Sequence, residues 1–183
     1  GMIGSAQTAN AVADYLKRLT VPIVFDPVMI ATSGASLADE QTISAFERLM
    51  AIASLVTPNL PELEALGGAK PILAHGCHLL VKGGHGEGDD IVDRLMSPRG
   101  QEREWHGERI DTRQTHGTGC TMASAIACSL GQGMTIDIAI ERAIAFVRLA
   151  LIEAPGLGAG YFQSLSSFSE LASVAIDLRE IVE

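Results

Sequence analysis

Cysteine is scarce. The 183 residues hold three, Cys77, Cys120 and Cys128, with no CxxC pair among them. Three thiols cannot close an even disulfide framework, so a reducing, cytoplasmic setting is the expectation. Basic residues are also few: 13 Lys and Arg stand against 22 Asp and Glu, a formal charge of −9. A surface of that sign repels phosphate backbones, and no Lys/Arg-rich stripe counters it, so nucleic acid is not an expected partner. No uninterrupted apolar run reaches the roughly 18 residues a membrane helix needs, and no membrane association is expected. The opening Gly1-Met2-Ile3 is neither basic nor long enough to act as a signal peptide.

What is present is a globular composition, 47% hydrophobic and 19% charged, enough for one core in one domain. Apolar spacing switches between periods of about 3.6 and 2, the pattern of repeated strand–helix units in an α/β fold. Ser5 caps a predicted helix whose inner face is Val12, Tyr15, Leu16 and Leu19. Val21 to Phe25 reads as a buried strand closed by Asp26-Pro27, followed by a polar loop, Ala31 to Ser36. A helix near Ala38 to Ala53 buries Ile43, Phe46 and Met50. Ser54 to Thr57 is a short strand, and Asn59 to Leu66 a short helix ending at Gly67-Gly68. Cys77 to Lys82 is another buried strand, and Ile91 to Met96 with Gln101 to His106 form a hairpin around Ser97-Pro98-Arg99-Gly100. Gly117 to Leu130, Ile136 to Ile152 and Ser169 to Val182 read as helices. Between Gly68 and Cys77 there is little room for a covering helix, although a parallel crossover usually needs about a dozen residues or more. Either the strands there pair differently or an element is missing.

Four segments can carry chemistry. Gly117-Thr118-Gly119-Cys120 precedes an apolar helix, where converging N–H groups and the helix dipole suit a phosphate or oxyanion. Cys120 falls in the first turn, where that field favours thiolate, able to accept a proton from an attacking alcohol. The alternative is a tight glycine turn with a buried small residue. Thr57-Pro58-Asn59-Leu60-Pro61-Glu62 reads first as a capping box, Asn59 to Glu62, and second as a carboxylate near a magnesium ion. Asp26 ends a strand where open α/β sheets bind ligands, or it closes an Asx-turn. Lys82 ends a strand and either reaches a phosphate or is solvated. The glycines from Gly83 to Gly88 do not fit GxGxxG, and His75, Cys77 and His78 lack a second metal-ligating cluster. Trp105 is read as a packing residue.

Taken in order, Gly1-Met2-Ile3-Gly4-Ser5, Asp26-Pro27-Val28-Met29, Thr57 to Glu62, Val81-Lys82-Gly83-Gly84-His85, Thr115 to Thr121 and Ala154-Pro155-Gly156-Leu157-Gly158 resemble the hydroxymethylpyrimidine/phosphomethylpyrimidine kinases. The resemblance runs to about Phe168. Its most specific piece is Cys120, where the wider ribokinase superfamily usually has Asp. It implies a ribokinase-like three-layer α/β/α fold with a mostly parallel sheet. It also implies ATP and Mg2+ as cofactors, and a small-molecule substrate, hydroxymethylpyrimidine or its phosphate. By the same resemblance Cys120 is the catalytic base, and the amides of Gly117, Thr118 and Gly119 form the anion hole. Asp26 and Glu62 hold metal, Lys82, Asn59 and Thr57 bind the nucleotide, and Met2 and Val28 touch the pyrimidine. Residues 1–183 are then one kinase domain, the nucleotide-binding half, N-terminally truncated and lacking strands that precede Gly1 in the family. A homodimer is expected. Pyridoxal kinase and an inactive Mg-ATP-binding module are the alternatives.

Overall fold

A computed structural model describes residues 2–29, 39–85, 88–112 and 115–153. The predicted loop at Ala31 to Ser36, the Ala154 to Gly158 segment and the predicted helix at Ser169 to Val182 lie outside them, wholly or in part. The chain divides into two compact units, Gly1–Arg109 and Ile110–Glu183.

The first unit begins with α1 (Ala6–Leu16), capped by Ser5, whose hydroxyl accepts from the Thr8 N–H at 3.2 Å. Its buried stripe is Ala9 and Ala13, with Val12 and Leu16 packed beside them. Tyr15 and Leu19 point outward, 65% and 41% exposed, against expectation. The reason is close packing against α2 (Glu40–Met50), which selects small residues at the contact. Arg48 of α2 also crosses to Asn10 and Asp14 of α1, both at 2.7 Å. In α2, Phe46 and Met50 are buried as predicted and Ile43 is partly so, joined by Leu49.

The strands are shorter than their apolar runs. β1 is Val24–Phe25, β2 Leu55–Val56 and β3 His78–Val81, all mutually parallel, with Phe25 beside Val56 and Val56 beside Leu79. Val21, expected inside, is 58% exposed. The hairpin, β4 (Asp90–Met96) and β5 (Glu102–Glu108), is antiparallel and adds to β3, giving the order β1-β2-β3-β4-β5. The core lies where α1 and α2 meet this sheet. There Phe25 and Phe46 meet edge to face, ring centroids 5.1 Å apart, beside Met29, Val56, Ile72 and Leu79.

One expectation is corrected outright. The β2–β3 crossover is complete, because two short helices share it: α3 (Leu60–Ala65) and α4 (Ala69–Ala74). Gly67 and Gly68, at φ +82° and +92°, make the bend between them. Ile72 of α4 is fully buried and Cys77 nearly so, so the connection covers the sheet despite its length.

Among its described residues the second unit holds two packed helices, α5 (Thr118–Gly131) and α6 (Ile136–Ile152), joined through residues 132–135. Met122, Ile126 and Leu130 of α5 and Ala139, Ile140 and Ala143 of α6 are buried. Alanines at i and i+4 on α6 leave room for the longer side chains of α5.

Candidate active site

Because β1, β2 and β3 run parallel and in register, their carboxyl ends lie side by side. Each strand delivers one polar residue there: Asp26 after β1, Thr57 after β2 and Lys82 after β3. This is the edge where open α/β sheets bind ligands. The Thr57 hydroxyl donates to Asp26 Oδ1 at 3.0 Å, and the Lys82 ammonium donates to the same oxygen at 2.6 Å. Thr57 is held by its own N–H, which donates to the Phe25 carbonyl at 3.0 Å. The ion-paired side chains are only 13% and 12% exposed. A pair so shielded from water costs desolvation that its attraction offsets only with good hydrogen bonding. Here the bonding is one-sided. Asp26 Oδ2 is buried and has no hydrogen-bond partner among the described residues. A buried carboxylate oxygen left bare is the kind of atom a cation or its water would satisfy, but among the described residues no group of three or more His, Cys, Asp or Glu side chains is placed to hold a metal ion by itself.

Asn59 and Glu62 form a capping box on α3. The Asn59 Oδ1 accepts from the Glu62 N–H at 2.8 Å, and Glu62 Oε2 accepts from the Asn59 N–H at 2.9 Å. Glu62 is 2% exposed. Burial pushes its carboxyl above the ordinary carboxylate range, against the pull of the Asn59 N–H and the Lys82 charge.

That shift has a measurable sign. A carboxyl with a raised folded pKa holds its proton more tightly in the native state, so it withdraws stability as pH rises from its unfolded value toward its folded one. Glu62→Gln removes that dependence. Whatever constant offset the amide introduces beside the Asn59 N–H, the difference in urea midpoint should shift toward the variant as pH climbs from about 4.5 to about 7. A difference that stays flat with pH over that window would mean Glu62 titrates as an ordinary carboxylate.

Of the substrate-side candidates, Val28 is half-buried, its N–H donating to the Asp26 carbonyl at 2.9 Å, and Met2 is 54% exposed. Neither enters the hydrogen-bonded cluster.

In the second unit, Gly117 is the N-cap of α5 in the left-handed conformation, φ +82° and ψ 0°. Glycine adopts it without strain and brings no side chain to cap the helix. Thr118 folds back on the Thr115 carbonyl, its hydroxyl at 3.0 Å and its N–H at 3.4 Å. Gly119 and Cys120 complete the first turn, Cys120 exposed. The bland reading of Cys120 as a buried small residue is thereby excluded. The arrangement suits an anion at the helix start, with a thiol beside it.

One residue escaped the sequence reading. Asp93 of β4 is 9% exposed and accepts from the Gly83 N–H at 2.9 Å. The signal was there: in Ile91-Val92-Asp93-Arg94-Leu95, alternation puts Asp93 on the same inward face as Leu95.

Parallel strand ends carrying a carboxylate, a hydroxyl and a lysine make this an α/β protein with a polar strand edge, and its likeness to solved structures puts it in the ribokinase-like class. An ADP complex of Bacillus subtilis pyridoxal kinase superposes with a TM-score of 0.75 at 27% identity, covering 86% of this chain and 64% of that one. Lactobacillus plantarum pyridoxal kinase gives 0.80 at 22% identity, covering 97% and 69%. Residues 1–164 match the phosphomethylpyrimidine kinase family, and the chain belongs to it. Its relatives include the hydroxymethylpyrimidine/phosphomethylpyrimidine kinase of Streptomyces coelicolor, 39% identical over 87% of this chain. The thiamine biosynthesis bifunctional protein ThiED of Geobacter sulfurreducens is 41% identical over 88%. The chain spans 64% of the former's length and 36% of the latter's.

No helix among the described residues is long and apolar enough to cross a membrane.

Proposed function

We propose that this chain carries the nucleotide-handling part of a kinase that phosphorylates hydroxymethylpyrimidine and then its monophosphate, in thiamine biosynthesis. The observation that carries it is the convergence of Asp26, Thr57 and Lys82 on three adjacent strand ends, with one buried carboxylate oxygen lacking a partner. Asp26, and Glu62 through water, would hold Mg2+, which when bound would neutralise developing phosphate charge. Lys82, with Asn59 and Thr57, would meet the phosphates of ATP. Cys120 would take the proton from the substrate hydroxyl as its oxygen bonds the γ-phosphorus and ADP leaves. The amides of Gly117, Thr118 and Gly119 would receive the negative charge on the transferred group. Such a site works by positioning and charge stabilisation, with little covalent chemistry for the protein. Met2 and Val28 would contact the pyrimidine. We read the two units as parts of one kinase domain, cytoplasmic and homodimeric.

The second reading, pyridoxal phosphorylation, draws on the 27% identity to the Bacillus pyridoxal kinase. Both alcohols are small heteroaromatic hydroxymethyl compounds. ADP release is measured with Mg-ATP and each alcohol in parallel, and Mg-ADP binding by calorimetry. Turnover with the pyrimidine in excess of pyridoxal is the expected result. The reverse preference would reassign the substrate. Nucleotide binding with no turnover would make the chain a binding module.

A further inference from the structure

The ladder between β3 and β4 pairs Leu79 with Met96, Leu80 with Leu95 and Val81 with Arg94, and then stops. Continued by one step it would set Lys82 against Asp93. Instead the chain turns into a short 3-10 segment, Gly83–His85, and the Gly83 N–H donates to the Asp93 side chain rather than to a backbone carbonyl. A carboxylate thus takes the place of a ladder acceptor at a site where burial raises its pKa. A backbone carbonyl would satisfy the same N–H without desolvating a charge.

The position of that turn matters because of its neighbour. Lys82 is held from the other side: its N–H donates to the Pro58 carbonyl at 2.9 Å, and it bridges to Asn59. Gly83 lies so close to β4 that a Cβ on it would fall 2.2 Å from the Val92 carbonyl oxygen. Further along, Arg109 donates to the Gly84 carbonyl at 3.1 Å and to the Gly88 carbonyl at 2.9 Å. The backbone that launches the Lys82 side chain is therefore gripped by the β2 exit on one side and by the β4–β5 hairpin on the other.

We propose that Asp93 is a positioning residue for Lys82: its carboxylate fixes the Gly83 turn so that the Lys82 ammonium stays on Asp26 at the strand ends. Its value for catalysis rests on the kinase reading above, but its action on Lys82 does not. The residue acts on Lys82 through the Gly83 turn, its carboxylate also lies within the field of the Lys82 charge, and the hairpin becomes part of the site's support.

The test uses the full chain and needs no nucleotide in its first arm. Acetylation of lysines by acetic anhydride is followed by peptide mass spectrometry, with the exposed Lys17 and Lys70 as internal standards. In Asp93→Ala, Lys82 should label about tenfold faster relative to those standards, the ratio expected if the turn opens locally. Asp93→Asn, which keeps an acceptor oxygen, should label within about twofold of the parent. Asp93→Glu moves the acceptor by one methylene and should resemble the alanine variant, and it carries the test if Asp93→Ala does not fold. Unchanged Lys82 labelling in a folded Asp93→Ala or Asp93→Glu protein, with only a lowered melting temperature, overturns the proposal and leaves Asp93 a structural cap. The second arm measures Mg-ADP binding. A parent that binds no nucleotide removes the kinase reading alone. A parent that binds should lose about tenfold in affinity on Asp93→Ala and regain it in Asp93→Asn.

Discussion

Gly83→Ala should unfold the first unit or cost it more than about 3 kcal/mol. The added Cβ would lie 2.2 Å from the Val92 carbonyl oxygen and 2.7 Å from both its carbon and nitrogen. All three are backbone atoms, so no rotamer change relieves the overlap. Nor can β4 withdraw, because it is hydrogen-bonded to β3 on one edge and to β5 on the other. Gly84→Ala is the matched control: nothing lies within 4 Å of its Cβ, and no left-handed φ is required. There the loss of unfolded-chain entropy should leave stability unchanged or raise it by up to about 1 kcal/mol. Trp105 is the sole tryptophan and sits in β5, so its fluorescence in urea reports this unit directly. Equal midpoints for the two variants would show that the turn can slide along β4, and the case for a rigid mount under Lys82 would weaken with it.

The contrast between these neighbouring glycines shows where the sequence is readable. Gly83 and Gly84 are indistinguishable as letters. The difference arises from Val92, nine residues away on β4, and only pairing reveals it. Local signals fared better. Ser5, Asn59 and the Gly67-Gly68 stop all act as read, because caps depend on residues within one turn. The α6 helix runs over the predicted residues, since Thr135 precedes a long run of good helix formers. The α1 face was misread because large apolar residues draw the eye, while packing against α2 selects the alanines. The helix at Ala69–Ala74 was missed because it is short and contains Pro71. That proline falls in the first turn, where its missing N–H would have had no partner in any case.

The site divides the same way. That Asp26, Thr57 and Lys82 each close a strand was legible from the proline and glycine that follow. That they share one carboxylate oxygen was not, because their partners are 31 and 56 positions apart. For Glu62 the capping box is now observed, and the metal role is added by proposal. The two are compatible: Oε2 is engaged with Asn59, and the Asp26 oxygen without a partner is where the demand for a cation is greatest.

Cys120→Ala should lower turnover of the preferred alcohol by about 10²- to 10⁴-fold, the usual worth of a positioned general base. The residue occupies the third position of α5, behind a left-handed glycine cap that brings no side chain of its own. An anion there is favoured by the helix dipole, and under the proposed function the Cys120 sulfur would accept the substrate's proton. The side chain is exposed, so its removal opens no cavity. Melting temperature and Mg-ADP affinity should therefore stay at parental values while kcat falls. This separates loss of the base from loss of the fold. Cys120→Ser keeps the size but offers a hydroxyl far too weakly acidic to act as an anion near neutral pH, so it should fall with the alanine variant. Cys120→Asp restores a carboxylate, the residue type usual in the wider superfamily, and should recover part of the rate. A kcat for Cys120→Ala within about threefold of the parent would remove Cys120 from the mechanism. The anion-binding helix start would then stand as a phosphate subsite with the base to be sought elsewhere.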